Sequence, residues 1–151
     1  MTKNAMDKNM NDKRYETIQK ENEELIEEFR NYLKEKSLSD KTIKTHTNNV
    51  EFYLNRYLLD HYEDEDAVKG IEYFYIGDFF GYFFIRKCMW STPSTIKTTA
   101  ASIKKFYKFM YETNRVKKEE YEDFAKNLNE SLDGWCEDCR IFNDGKEYID
   151  F

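Results

Sequence analysis

The chain has little that would break a helix. Of 151 residues one is proline, Pro93, and five are glycine. Proline removes a backbone donor and glycine has a high conformational entropy, so a chain poor in both favours long helices. It also lacks a long apolar run. The longest, Phe79 to Ile85, is far short of the ~20 residues that cross a bilayer, so no membrane partner is expected. The opening from Met1 to Lys13 is polar and carries no export signal, and three cysteines in such a chain point to a reducing cytoplasm and free thiols. Missing too are a glycine loop that cradles phosphate, a Ser-His-Asp set and a histidine-rich metal motif. The expectation is a binding module, with no enzyme activity of its own, no cofactor and no small-molecule substrate.

Aromatic residues are plentiful at 17%, enough to order a chain in which 36% of residues are charged. The net charge of -6 argues against nucleic acid until its distribution is read. Residues 91–118 hold Lys97, Lys104, Lys105, Lys108, Arg115, Lys117 and Lys118 against Glu112 alone, a net of +6. Residues 60–80 come to -6 and residues 119–151 to -8. Fields follow where charge lies, so one basic segment between two acidic ones says more than the total.

Periodicity supplies the elements. Residues 1–14 have no apolar face and read as a disordered arm. Leu25, Ile26, Phe29, Tyr32 and Leu33 recur at helical spacing, marking a first helix over 16–36. Ser37-Leu38-Ser39-Asp40 breaks it, and Ser39 or Asp40 can cap the next helix, 40–61. Its apolar stripe is Ile43, Thr47, Val50, Leu54, Tyr57, Leu58 and His61. The acidic turn Glu63–Asp66 follows. Gly70 to Tyr75 fits either an extended lead-in or an early helical turn. Residues 76–89 read as a third helix, apolar nearly all round and therefore central. Within it Gly77 and Gly81 would let another helix approach. Thr92-Pro93 is a start signal for a fourth helix over 93–114, with Ile96, Ala100, Ile103, Tyr107 and Met110 inward. A fifth helix over 117–132 is expected to stop at Gly134. Trp135 would then fold back over a bundle end, and the Asn143-Asp144-Gly145 turn suggests a short hairpin in the tail. The fold class is all-α, a single-domain bundle of four to five helices over 15–133, with 134–151 as a tail.

Two stretches carry a resemblance, "LIEEFRNYLKEKSLSDKTIKTHTNNVEFYLNRYL" (25–58) and "STPSTIKTTAASIKKFYKFMYETNRV" (91–116). In each, Ser/Thr-x-x-Thr-Ile opens a long helix, at Ser39-Asp40-Lys41-Thr42-Ile43 and at Thr92-Pro93-Ser94-Thr95-Ile96. Over about 25–128 the chain resembles the N-terminal core-binding, SAM-like domain of phage integrases and tyrosine recombinases. The resemblance implies a helical bundle whose helices 40–61 and 93–114 face duplex DNA, in a setting of DNA integration and recombination. Lys117-Lys118-Glu119-Glu120 departs from the Asn-Pro that often ends this unit in the family. The family's catalytic domain, with an Arg, a His-x-x-Arg and a nucleophilic Tyr, has no counterpart: His46 precedes Thr47-Asn48-Asn49 and His61 precedes Tyr62-Glu63-Asp64. DNA engagement without strand cleavage is implied.

The candidate DNA-binding residues are Thr95, Lys97, Thr98, Ser102, Lys104, Lys105 and Lys108 on the fourth helix, and Lys41, Lys44, Thr45 and Asn48 on the second. Lysines displace counterions from phosphates, and hydroxyls and amides add neutral bonds to phosphate oxygens. The bland alternative is a solvated face, the usual fate of lysines on a helix. No arginine lies in either row, so guanine-reading forks are absent and backbone contact is expected. Cys136-x-x-Cys139 is half of a zinc site without a second half, and two free thiols are the simpler reading. The block Phe79–Phe84 is core before it is a partner surface. A rival to DNA binding is a protein-interaction or regulatory module that keeps the fold and pairs with a recombinase or with a second copy of itself, an idea favoured by the acidic total.

Overall fold

The structure, a computed structural model, describes residues 5–149, with the side chains of residues 10–145. Every element among them is helical, with no strand. None of the helices is long and apolar enough to cross a membrane. Contacts gather in two compact units, residues 1–70 and 71–151, where the sequence pattern suggests one bundle.

The first unit is built from α1 (Ala5–Glu35) and α2 (Asp40–Glu51), the latter continuing as a π-helical segment (Phe52–His61). In α1 the buried positions Ile18, Asn22, Ile26, Phe29 and Leu33 fall three or four apart, one stripe of a helix. The buried amide of Asn22 is satisfied by donating to Asn55 Oδ1 at 2.9 Å. The expected disordered arm is helical from Ala5 onward, while residues 1–4 of that arm lie outside the described residues. Two polar contacts hold the helix where that arm ends: Arg14 donates to the Asp64 carbonyl at 3.0 Å and the Tyr15 hydroxyl to Asp60 at 2.7 Å.

Ser37, at φ 62°, turns the chain out of α1, and Ser39 caps α2 by accepting from the Thr42 amide, as its position suggests. The second helix reaches His61 as expected, but its latter half is wider than an α-helix. There Tyr53, Leu54, Tyr57, Leu58 and Leu59 are all buried. Wider turns bring adjacent residues inward together. His61, expected in the apolar stripe, is exposed instead, its ring stacked on Tyr57 at 5.7 Å. A 3-10 turn (Lys69–Ile71) resolves the ambiguous stretch as helical.

The second unit opens with a continuous rod: α3 (Tyr73–Asp78), a π-helical segment (Phe79–Phe83) and α4 (Phe84–Lys87). Phe79, Phe80, Phe84 and Ile85 are buried, so this part of the aromatic block is core. The rod stops at Lys87, leaving Met89 outside the helix expected to contain it. Next, α5 (Pro93–Glu112) starts where its signal lies. Thr92 accepts from the Thr95 amide, Thr95 returns the bond to the Thr92 amide, and Pro93 occupies the first turn.

The last element corrects the expected stop and hairpin. A single helix, α6 (Lys118–Ile149), runs through Gly134 and Gly145, and no described glycine has positive φ. Tertiary burial outweighs the local signal. Phe124, Leu128, Trp135, Cys136 and Cys139 are buried on one face of α6, and Trp135 stacks on Phe80 with centroids 5.0 Å apart. Burying a large side chain contributes about 1.5–3 kcal/mol, more than the ~1 kcal/mol that a glycine costs within a helix. Gly81 permits this approach: a Cβ there would lie 3.3 Å from Trp135 Nε1. At Gly77 the neighbour is instead Tyr73 of the same rod.

Candidate nucleic-acid interface

On α5 an inward face is sorted sharply from an outward one. Ile96, Thr99, Ala100, Ile103, Phe106, Tyr107 and Met110 are buried, and Ser94, Lys97, Thr98, Ala101, Lys105 and Lys108 are exposed. The exposed row therefore runs 94, 97/98, 101, 105 and 108, and Glu112 closes it. Among the described residues, Lys105 and Lys108 have no ion-pair partner within 4 Å, so both ammonium groups are presented to water.

The other candidates on this helix are placed differently. Ser102 is fully buried, its hydroxyl donating to the Thr98 carbonyl at 3.1 Å. It cannot reach a phosphate, and the correction follows from helical phase: Ser102 sits one residue from Ile103 on the inward face. Thr95 is half-buried and its hydroxyl is used in the cap. Thr98 is exposed, with its hydroxyl donating to the Ser94 carbonyl at 3.0 Å. Lys104 leans toward α6 and donates to Asn129 Oδ1 at 3.3 Å. Lys97 stays exposed and lies close enough to the Cys136 thiol to act on it. Burial pushes that thiol's pKa up, and the Lys97 charge opposes this only in part.

In the first unit, Lys41, Lys44, Thr45 and Asn48 are all exposed on one face of α2, as their i, i+3, i+4 and i+7 spacing requires. The Thr45 hydroxyl donates to the Lys41 carbonyl at 3.1 Å. Lys41 and Lys44 have no ion-pair partner within 4 Å among the described residues. Asp40 and Glu51 bracket the row.

Cys136 and Cys139 serve the joint between α4 and α5. Cys136 Sγ lies 3.6 Å from the Pro93 carbonyl and Cys139 Sγ lies 3.9 Å from Ser91 Oγ. Asn143, one turn on, donates to the Ser91 carbonyl at 2.9 Å. All three cysteines are free and buried, and burial raises Cys88 to a pKa of about 11. No group of three or more His, Cys, Asp or Glu side chains gathers as a metal site among the described residues.

The first unit holds an open cleft of about 440 Å³ among Tyr15, Asp60, Glu63 and Asp64. Its Tyr15 phenol is bonded to Asp60, whose carboxylate holds that phenol above its ordinary pKa. A phenol so held is a poor general acid or base near neutrality.

One surface feature escaped the sequence reading. Met89 and Trp90 are the two central residues of a turn closed by the Ser91 amide donating to the Cys88 carbonyl at 3.1 Å. They are 89% and 58% exposed. A usable signal was present: two large apolar residues stand immediately before a helix cap, where turn formers are usual.

The chain matches no family model, no curated protein and no solved structure.

Proposed function

We propose that this chain is a non-catalytic DNA-binding module, of the kind its resemblance to recombinase core-binding domains implies, and that it engages duplex DNA through phosphates. The observation that carries the reading is the exposed face of α5, where Lys97, Lys105 and Lys108 line up with no acid among them until Glu112. Thr98 and the smaller Ser94 and Ala101 leave room for a backbone to approach. The exposed row Lys41, Lys44, Thr45 and Asn48 on α2 supplies a second set of the same chemistry. Absence of arginine from both rows favours affinity over sequence discrimination. The acidic outer face of α6, with Glu119, Glu120, Asp133 and Asp138 exposed, repels DNA and so restricts which side it meets.

A salt titration of binding to a fluorescently labelled duplex tests this. Three phosphate-contacting lysines contribute roughly 2.7 to the log–log salt slope, at ~0.9 each. Replacing Lys97, Lys105 and Lys108 together by glutamate should abolish binding with the helical content unchanged. No binding to any duplex at low salt, or unchanged binding by the triple variant, overturns the proposal. Self-association in sedimentation without DNA binding would favour the protein-interaction reading, to which the acidic face of α6 points.

A further inference from the structure

Within the second unit, the aromatic rod and α6 leave a cleft of about 370 Å³, lined by Gly81, Ile85, Arg86, Asp138, Ile141 and Phe142. Its floor follows from packing. Gly81 admits Trp135 of α6 against the rod, and Ile85 is buried. Its rim stays open to water. Tyr82, one turn before Arg86, and Ile141 on α6 are 51% and 56% exposed. Each would be better covered than solvated.

Charge on the two walls of the cleft identifies what covers them. Arg86 is exposed but held. Its guanidinium lies between two rings, 5.2 Å from the Tyr82 centroid and 5.1 Å from that of Phe142. Ring faces fix a planar cation without using its N–H donors. Among the described residues Arg86 has no ion pair within 4 Å. Asp138, on the α6 wall, is exposed and equally without a cation within 4 Å. Its neighbours Glu137 and Asp144 are both taken by Arg140. One patch thus presents a fixed cation, an unpaired carboxylate and two exposed apolar side chains. A strongly basic or strongly acidic partner would satisfy one charge and be repelled by the other. A surface carrying both, turned about a two-fold axis, satisfies both twice.

We infer that this patch is the contact between two copies of the chain, with Arg86 of each protomer paired to Asp138 of the partner subunit and Tyr82 and Ile141 buried between them. The patch is small beside the interface of a permanent dimer, so pairing is weak and depends on concentration. The inference is independent of DNA binding through α5.

Sedimentation equilibrium of the full chain at low salt, over a concentration series into the high micromolar range, tests it. Wild type should show a reversible monomer–dimer equilibrium. Arg86→Asp and Asp138→Arg, made singly, set like charges opposite each other in both contacts, so each should raise the dissociation constant on the order of tenfold or more. The two single variants mixed together should pair with one another, because each contact again joins an arginine to an aspartate. Ile141→Ser, which leaves the charges in place, should weaken pairing less. Circular dichroism should be unchanged in all of them, since every substituted side chain is exposed. A monomer at every concentration overturns the inference and leaves the cleft to a different partner. Dimers that survive both single substitutions place the contact elsewhere and overturn it too. Failure of the mixed variants to pair means that Arg86 and Asp138 do not meet across two copies, with the same result.

Discussion

Substituting the glycines of α6 separates a continuous helix from a helix followed by a hairpin, because the two arrangements predict opposite signs. Gly134 is exposed in mid-helix, and a Cβ built there meets nothing within 4 Å. Alanine adds no clash and removes backbone freedom from the unfolded chain. Gly134→Ala should therefore stabilise the second unit by about 1 kcal/mol. For a chain of this size that raises the melting temperature by roughly 2–4 °C. Gly145 also has open space around its Cβ position but sits in the last turns, where fraying dilutes the gain to about 0.5 kcal/mol. A hairpin at Asn143-Asp144-Gly145 would instead place the glycine at positive φ, and alanine in that conformation costs about 1–2 kcal/mol. Differential scanning calorimetry of both variants decides. A lower melting temperature for Gly134→Ala or for Gly145→Ala would refute the continuous α6.

Two further outcomes follow from the same packing. Trp135→Ala removes a ring stacked on Phe80 and should cost about 3–5 kcal/mol, read as a lower urea midpoint; a loss below 1 kcal/mol would mean that α6 past Gly134 does not pack as described. The three buried thiols should resist iodoacetamide in the native protein and react in urea, and rapid labelling of the native chain would contradict their burial. Cys88 gives stability a pH dependence. Its thiol titrates near 9 when unfolded and at about 11 when folded. Its contribution is therefore complete below pH 9 and is lost as pH rises toward 11; denaturation at pH 8 and pH 10 should show the decline, and Cys88→Ala should make it shallower, the rest coming from Cys136 and the tyrosines raised on folding.

Local signals were legible where they coincide with packing. Ser39 and Thr92-Pro93 start their helices because a side-chain oxygen next to a free helix end has an immediate partner, whatever the tertiary structure. The exposure of Lys41, Lys44, Lys97 and Lys108 was legible for a similar reason, since helical phase sorts them from Ile43 and Ile96, but Lys104, expected in the same row, leans toward Asn129 and Lys105 takes the exposed position. The failures lie where distant contacts decide. Gly134 and Gly145 look like stops, yet Trp135 and Cys139 draw the helix past the first of them. Ser102 looks available on a helical wheel drawn by residue type, but burial of its neighbours Ile103 and Phe106 carries it inward. The polar opening has no apolar face, and its helix is supported by single contacts such as Arg14 to the Asp64 carbonyl. The π-helical turns at Phe52–His61 and Phe79–Phe83 have no signature in a 3.6-residue period.

The contacts around Ser91 tie two distant parts of the chain into one thermodynamic account. Its hydroxyl, carbonyl and amide are shared among Ile85, Cys88, Cys139 and Asn143, so the turn bearing Met89 and Trp90 is only as rigid as the final turns of α6. Free energy that orders one orders the other, so whatever fixes the turn would, by reciprocity, tighten the C-terminal helix some fifty residues away in sequence. The acidic end of the chain is in this sense a counterweight to the basic face, coupled through a serine and a thiol to the start of α5, the helix on which DNA is proposed to rest.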